Sequence, residues 1–496
     1  MSAAVLVPLA GALLTWLTRG WRRTVTAGIA VVAATSAAAA LVLSTARAGE
    51  PARQALSGPL GAEVALVADG LAVSMILAVA LVGIAVATMA ILEDARDASA
   101  RHWAYWPLAL TLWAGLVALF LVGDLLSAYL LLELIGLCGA LLVTLRGGRA
   151  PLLAGTRYLL AELVASLTML FGVAVVWWQT GTVSFSGLGT ALAASDTGWV
   201  GIALITVGLM IKIPLAPLHV WLPAAHTQAP SAVSPLLSGL MVKAAFAVLV
   251  RLWFLAAPEV VTPRAVSVLA GLGLVAILWG SLTALRAVGL KRLVASSTIA
   301  QMGLMLLFPP LLIAGATEGW TGAIVLAVTH APAKAAMLMA ATLMASSARQ
   351  AVTATGGTAS SEADHTPHDP ALSRLAGAAS RRPLAVMAFG IGGLSLVGLP
   401  PTGGFIGKWY LLLGAFEVRA GWIVAAIVVA TLLTAWYLVR FLLPAFAPPG
   451  EGEEDVRERD GRDVLALALA GTTVIFGLVP GPLVELIGIG MPPGGG

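Results

Sequence analysis

Four of the five lysines in this 496-residue chain lie inside apolar stretches that are long enough to cross a bilayer. They are Lys212, Lys243, Lys334 and Lys408, whereas Lys291 lies at the edge of such a stretch. An ammonium group at the centre of a membrane helix costs about 2.5–3.5 kcal/mol on insertion scales. Side chains of this kind usually face a cavity or a partner and mark an ion pathway. The four lysines therefore indicate a protein that moves charge.

One carboxylate in the apolar sequence has a predicted partner among these lysines. Glu133 lies in the middle of an apolar run, LLLELIGL, and Lys212 is the best candidate to pair with it. An ion pair at this depth offsets part of the desolvation of both groups and favours the charged lysine. Weakening the pair would let Lys212 release its proton, so Lys212 is predicted to be a switchable donor. A static structural ion pair is the alternative interpretation.

The remaining lysines and three histidines could extend such a path. Lys243 has no acid near it in the sequence, so it could be neutral part of the time. His330 and Lys334 are four residues apart and share one helical face, which suits a relay because histidine titrates near neutral pH. A structural role in helix packing is the alternative for His330. His219 and His226 flank a Trp-Leu-Pro corner, where they either take up protons or cap helices.

Other polar side chains in the apolar runs have structural or open roles. Glu162 comes early in its run, close to Arg157, and its depth in the membrane is not fixed by the sequence. Asp69 and Asp124 lie near the ends of runs, which favours structural roles. A set of hydroxyl side chains either holds ordered water between the titratable groups or allows close packing: Ser231, Ser234, Ser238, Ser296, Ser297 and Thr298.

The composition identifies the class of protein. The chain is 59% hydrophobic and 10% charged, whereas a soluble domain is about 25% charged. The single cysteine, Cys138, excludes a disulfide framework and a cysteine metal site. The first apolar run is interpreted as a membrane span and not as a removed signal peptide. Hydropathy predicts an all-α polytopic membrane protein with about fourteen spans, whose cores are 1–17, 25–46, 64–92, 107–123, 125–145, 152–178, 198–218, 228–252, 263–285, 291–313, 319–347, 384–416, 421–443 and 463–487.

The arginines test this assignment independently. If both termini lie outside, the cytoplasmic loops and span ends hold nineteen of the 28 basic residues and the opposite side holds five. The other four are the lysines inside the spans. This asymmetry follows the positive-inside rule, so it favours the span count and predicts that both termini are outside.

Two of the predicted spans are interrupted by proline and glycine. Span 7 contains Pro214 and Pro217, and span 12 contains a cluster of breakers, Pro400, Pro401, Gly403 and Gly404. Irregular backbone at membrane depth is tolerated where it lines a cavity or is buried in protein. Broken spans at matching places in two halves indicate inverted repeats. The predicted organisation is an N-terminal three-helix segment (1–106), two inverted five-helix repeats (107–262 and 263–443) with a flexible loop at 349–382, and a C-terminal segment (444–496) containing a charged loop at 451–463.

Several function classes are excluded because their motifs are missing. The sequence has no Walker loop, no dinucleotide-binding glycine fingerprint, and no Cys or His cluster for haem or an iron–sulfur centre. We therefore expect no cofactor, no metal site and no catalytic chemistry within this chain. Its energy would come from an ion gradient or from a partner subunit.

Five elements of the sequence together resemble a known family. They are Glu133, KIPLAPLHVWLPAAHTQAPSAVSPLLSGLMVK, KRLVASSTIAQMG, HAPAKA and GLPPTGGFIGK. They resemble the proton-translocating antiporter-like subunits of respiratory complex I, membrane-bound hydrogenases and Mrp-type cation/proton antiporters. The resemblance implies fourteen helices with two inverted five-helix repeats. It also implies a proton path that contains Glu133, Lys212, Lys243, His330, Lys334 and Lys408.

The lysine in span 12 favours one branch of this family. A lysine at position 408 resembles the D-type subunit of Mrp antiporters, whereas a glutamate there would indicate the middle subunit of complex I. Pro332 and Glu162 depart from the family pattern. The resemblance therefore implies a bacterial inner-membrane subunit that moves protons in a multisubunit Na⁺(K⁺)/H⁺ antiporter with other membrane subunits. The alternatives are a proton-pumping subunit of a redox complex, either an NADH-quinone oxidoreductase or a membrane-bound hydrogenase, and a stand-alone solute transporter.

Overall fold

The computed structural model describes residues 1–57, 63–96, 103–195, 197–258, 261–354, 369, 371–448 and 460–493. Ten helices in these ranges are long and apolar enough to cross a membrane, and four shorter apolar helices accompany them. The all-α polytopic architecture is confirmed, and the helices follow the fourteen predicted cores in order. The spans are Ser2–Leu17, Trp21–Ala48, Gly70–Arg96, Tyr105–Leu121, Leu125–Thr144, Arg149–Thr180, Gly198–Lys212 with Trp221–Gln228 (span 7), Ser234–Ala256, Pro263–Leu285, Leu290–Met305, Glu318–Ala354, Pro383–Val397 with Gly403–Glu417 (span 12), Gly421–Phe446 and Gly461–Leu478.

Shorter elements connect the spans. A hairpin of two antiparallel strands, Ala52–Ser57 and Glu63–Ala68, precedes span 3. The sequence predicted helix from residue 64, but span 3 begins at Gly70 because Asp69 Oδ1 accepts a hydrogen bond from Ala72 N at 2.8 Å and caps the helix. Short helices outside the spans are Phe185–Ala193, Pro309–Ile313, Leu372–Leu375, Ala378–Arg381 and Gly481–Gly488.

The predicted flexible loop at 349–382 stays a prediction, and its described parts contain short helical segments. Span 11 continues as helix to Ala354, and the later part of the loop forms the two short helices at 372–375 and 378–381. Residues 355–368 and 370, and residues 451–459 of the predicted charged loop, lie outside the described residues. The division of the chain into an N-terminal segment, two repeats and a C-terminal segment stays a prediction.

Spans 7 and 12 are broken, as the prolines and glycines predicted. In span 7 the helix ends at Lys212 and resumes at Trp221, and the Trp221 indole donates a hydrogen bond to Ile211 O at 3.1 Å across the gap. In span 12 the helix ends at Val397 and resumes at Gly403. Gly398 bridges this gap with φ +80°, a backbone conformation that side chains other than glycine rarely adopt. Each break frees backbone carbonyls that other groups must satisfy.

Span 8 is continuous but changes its winding twice. The segments Leu237–Met241 and Leu252–Ala256 are π-helical, and regular α-helix lies between them. Such wide turns leave a carbonyl without its usual partner and often mark functional sites. The first of them comes directly before Lys243.

Span 11 lies at the centre of the molecule. The stretch Glu318–Ala348 is buried throughout its most apolar part and packs against spans 3, 8, 10, 12 and 14. Close approach of the backbones makes this packing possible, since a Cβ added at Gly322 would lie 2.8 Å from Gly407 O in span 12. The charged side chains that this helix carries are therefore held among helices, away from lipid.

Buried ion pairs join three spans at one end of the bundle. Arg382, which precedes span 12, contacts Asp463 Oδ2 in span 14 at 3.0 Å and Asp460 at 3.6 Å. Arg462 contacts Asp460 at 2.7 Å and Glu93 of span 3 at 3.5 Å. The side chains of Arg382 and Asp463 are only 4% and 3% exposed. The network therefore fixes the ends of spans 3, 12 and 14 relative to each other.

We expect Asp463→Ala to destabilise the protein by roughly 3–5 kcal/mol, because it leaves a buried guanidinium without one of its carboxylates. Thermal unfolding of the purified protein would measure the change. Arg264→Ala is the matched control, since Arg264 is exposed at the start of span 9. Equal midpoints for the two variants would contradict a structural role for the network.

Candidate functional site

Lys212, the last residue of the first half of span 7, lies within a cluster of four polar side chains. Its Nζ contacts Glu133 Oε1 at 3.2 Å and Ser166 Oγ at 3.0 Å, and it also contacts Glu162 Oε2. Ser166 in turn donates a hydrogen bond to Glu133. The structure thus brings together Glu133 and Lys212, the two residues that the sequence paired. It adds a second carboxylate and a hydroxyl to them.

Glu162 is the site residue that sequence reasoning did not assign. The structure buries it to 8% exposure on the face of span 6 that also carries Ser166, whereas Arg157 points to the exposed face. Room for its carboxylate comes from Gly136 in span 5, where an added Cβ would lie 2.6 Å from Glu162 Oε2. The spacing of Glu162 and Ser166, four residues apart and so on one helical face, was the signal that could have identified it.

Lys243 is 2% exposed and contacts a backbone oxygen. Its Nζ donates to Ser238 O in the π-helical turn that precedes it. No carboxylate within the described ranges forms an ion pair with it. The Ser238 hydroxyl lies 2.8 Å from Thr298 Oγ1, which links span 8 to span 10.

His330 and Lys334 lie on the buried face of span 11, on either side of Pro332, and the helix runs through the proline without interruption. Lys334 is fully buried and donates to Val294 O and to Ser297 Oγ of span 10. The His330 ring is 4% exposed, and neither of its nitrogens has a hydrogen-bond partner among the residues that the structure describes.

Lys408 lies in the second half of span 12 and reaches back across the break. Its Nζ donates to Val397 O at 2.7 Å and to Thr431 Oγ1 of span 13 at 3.0 Å. Gly398 makes this contact possible, because a Cβ there would lie 2.6 Å from the Lys408 side chain. The lysine thus satisfies a carbonyl that the break frees.

Polar side chains of span 10 contact Lys334, Ser238 near Lys243, and the backbone at the break in span 12. Ser297 contacts Lys334 and Thr298 contacts Ser238, while Gln301 Nε2 donates to Leu396 O at 3.3 Å. Of these side chains, the sequence singled out Ser297 and Thr298 but not Gln301. Span 10 therefore supplies a continuous polar face between Lys243, Lys334 and the neighbourhood of Lys408.

The two histidines near the corner of span 7 occupy different environments. His219 is half-buried, and its Nε2 accepts a hydrogen bond from the Trp279 indole at 3.1 Å. His226 is fully buried, and its ring nitrogens have no partner in the described part of the chain. Among the described residues, neither histidine forms a hydrogen bond with a lysine side chain.

Lys291 lies at a helix end, as expected, but it is completely buried. Asp369 accepts hydrogen bonds from Lys291 N at 2.6 Å and from Arg292 N at 3.1 Å and so caps span 10. Burial raises the pKa of the Asp369 carboxyl above its ordinary value, although these two backbone bonds act in the opposite direction. No local sequence pattern indicates this contact, which joins residues 78 apart.

The two aspartates predicted to be structural have partners that suit such a role. Asp69 Oδ1 contacts Arg251 Nη2 at 2.9 Å, and Asp124 Oδ1 caps span 5 by accepting from Ser127 N at 2.7 Å. In the described ranges, no group of three His, Cys, Asp or Glu side chains is arranged to hold a metal ion. The candidate site consists of titratable side chains carried by spans 5, 6, 7, 8, 11 and 12.

Comparison with known proteins identifies the family. Residues 122–434 match the family described as "NADH:quinone oxidoreductase/Mrp antiporter, TM". The chain is 33% identical to NADH-quinone oxidoreductase subunit N of Desulforudis audaxviator, over 86% of this chain and 81% of that protein. It is 31% identical to the protein of the same name from Chromohalobacter salexigens, over 98% of each.

A solved structure has the same fold. A chain in the structure of the Mrp complex from Dietzia sp. superposes with a TM-score of 0.82 at 25% identity, and the alignment covers 98% of this chain and 95% of that one. The matched residues contain Glu133, Lys212, Lys243, His330, Lys334 and Lys408. The chain belongs to the membrane-subunit family shared by NADH:quinone oxidoreductases and Mrp antiporters.

Proposed function

We propose that this chain translocates protons as a membrane subunit of a redox-driven complex of the NADH-quinone oxidoreductase type. The two relatives, both named subunit N, support this branch, and one of them aligns over 98% of the chain. The sequence alone favoured the D-type subunit of Mrp antiporters because of Lys408. One residue is weaker support than similarity along the whole chain, so the redox complex becomes the main proposal.

The observation that carries the proposal is the difference in environment along the line of lysines. Lys212 contacts carboxylates, whereas Lys243, Lys334 and Lys408 contact backbone carbonyl and hydroxyl oxygens. A neighbouring carboxylate favours the charged form of a lysine, and a neutral oxygen does so less strongly. Lys212 therefore holds its proton more strongly than the other three lysines do, and its carboxylate partners control when it gives that proton up.

Protons in this mechanism enter near the corner of span 7, where His219 and His226 lie. They then pass along Lys212, Lys243 and the face of His330 and Lys334, and they leave through Lys408. The polar side chains of span 10, namely Ser297, Thr298 and Gln301, lie close to the last three stations. With both termini outside, the chain lies in the bacterial inner membrane among other membrane subunits. The redox chemistry that drives the movement belongs to those partner subunits.

A subunit of an Mrp-type antiporter is the second candidate. It is favoured by the close superposition with the chain of the Mrp complex. The coupled ion would then be Na⁺ or K⁺, and the same line of side chains would carry the protons. A stand-alone solute transporter has less support, because the cavity beside Val79, Trp106 and Trp113 has an almost wholly apolar lining.

The role of the central lysine is tested by two substitutions at Lys243. Lys243→Met removes the exchangeable proton but fills the same volume, and Lys243→Arg keeps a charge that is not released at any physiological pH. We expect each to lower proton transport about 100-fold, measured with a fluorescent ΔpH probe in everted vesicles. Protein amounts in the membrane should stay unchanged.

The exposed residue Arg264 supplies the control for these variants. Arg264→Met should transport protons at the unsubstituted rate. Normal transport by both Lys243 variants would overturn the proposed proton path.

The driving reaction is tested in the same vesicles, prepared from the native host. We expect NADH to acidify vesicles that carry the unsubstituted chain and to fail with Lys243→Met. Addition of Na⁺ or K⁺ without an electron donor should release no protons through this chain. Lysine-dependent proton release by the cation alone would replace the redox complex with the antiporter.

A further inference from the structure

Glu162 faces a different side of Lys212 from Glu133. The side chain of Glu133 is 34% exposed on the outer surface of the chain, whereas that of Glu162 is 10% exposed. A small cavity with room for about one water molecule lies on the inner side of Lys212. Its lining includes Glu162 and Lys212 but not Glu133. Lys212 therefore lies between an outer carboxylate and an inner one.

The cavity also contacts the helix that carries Lys243. Its lining includes Met241, Val242 and Ala245 of span 8, which are neighbours of Lys243 in sequence. Its side wall is the stacked pair of Tyr158 and Trp221, whose ring centroids are 4.4 Å apart. Glu162 thus borders the space that separates Lys212 from the helix of Lys243.

The cluster of Lys212, Glu133 and Glu162 carries a net negative charge that one further proton would neutralise. Two carboxylates and one ammonium give a net charge of −1, and the side chains of Lys212 and Glu162 are only 3% and 10% exposed. A buried net charge is costly, and two carboxylates that share a site disfavour ionisation of both. The groups that face Glu162 are Lys212 from span 7 and Glu133 from span 5, with Tyr158 one turn earlier on its own span.

We propose that Glu162 is a proton-carrying residue that accepts the proton of Lys212 and passes it through the cavity towards span 8. In this step the Lys212 ammonium and the Glu162 carboxylate become an amine and a carboxylic acid, so the contact stays intact while its charge separation disappears. The acid then gives its proton to the span 8 side, and Lys212 takes a new proton from the Glu133 side. This inference rests on the proposed proton path and adds a station to it.

The test compares substitutions of Glu162 in everted native vesicles. Glu162→Gln keeps the size of the side chain and its contact with Lys212 but cannot carry a proton. We expect it to lower NADH-driven proton transport about 100-fold, with an unchanged amount of assembled complex and an unchanged thermal midpoint. Glu162→Asp should recover part of the rate. Glu485→Gln, at an exposed position, is the control and should behave as the unsubstituted chain.

Infrared difference spectra separate a proton carrier from a structural residue. The purified complex should show a protonated-carboxyl C=O band that shifts in D₂O and that is missing in Glu162→Gln. A structural role predicts instead that transport and thermal stability fall together and that no such band is lost. That result, or transport by Glu162→Gln at the unsubstituted rate, would overturn the inference.

A second pair of variants tests the position of the carboxylate without changing any charge. Gly136→Ala places a methyl group where Glu162 Oε2 lies, so we expect slower transport. The double variant Gly136→Ala/Glu162→Asp has a shorter acid and should be faster than Gly136→Ala alone, a non-additive result expected for residues in contact. Additive losses would contradict the inference.

Failure of this inference is distinguishable from failure of the proposed function. If Lys243→Met abolishes transport while Glu162→Gln does not, the path stands and Glu162 is not part of it. If Lys243→Met also transports normally, both the proposed function and the role of Glu162 are wrong.

Discussion

A charge held away from water must contact oxygen atoms, and this constraint governs how the lysine-bearing helices are built. Lys212 meets it with carboxylates, and the other three meet it chiefly with backbone carbonyls. A regular helix has few carbonyls to offer, because each is bonded to the next turn. Lys243 uses one in a π-helical turn and Lys408 uses one at a helix break. For Lys243 and Lys408, the irregular backbone therefore supplies the oxygen that the buried charge needs, whereas Lys334 contacts Val294 O and Ser297 Oγ of the regular helix of span 10.

The same constraint explains why small residues recur beside the lysines. A lysine can reach a carbonyl on another turn only if nothing fills the space between them. Gly398 leaves that space for Lys408, and Gly136 leaves it for the carboxylate that faces Lys212. Span 11, buried on every side, keeps Lys334 in a dry environment, where its contacts with Ser297 and Val294 are stronger than they would be in water. Packing and electrostatics thus specify the same few positions.

Much of this architecture could be predicted because it depends on local features of the sequence. The length of the apolar segments predicted the spans, and the prolines predicted the two breaks. Glu133, a carboxylate within an apolar segment, was predicted as the partner of Lys212. The missed features depend on distant contacts: Glu162 had an arginine nearby in sequence that points elsewhere in the fold, and Asp369 caps a helix 78 residues away. The π-helical turns of span 8 are set by tertiary packing. The branch of the family could not be read from Lys408, because one side chain carries less information than similarity along the whole chain.

The two broken spans look alike in sequence but use their freed carbonyls differently. In span 7 the Trp221 indole satisfies Ile211 O, so the adjacent Lys212 is free to contact acids. In span 12 Lys408 itself satisfies Val397 O, and it also donates a hydrogen bond to the hydroxyl of Thr431. A lysine bound to carboxylates responds to their movement, whereas one bound to a backbone carbonyl is fixed by the fold. The environments of Lys212 and Lys408 are therefore not interchangeable, and this asymmetry would give the proposed proton path a direction.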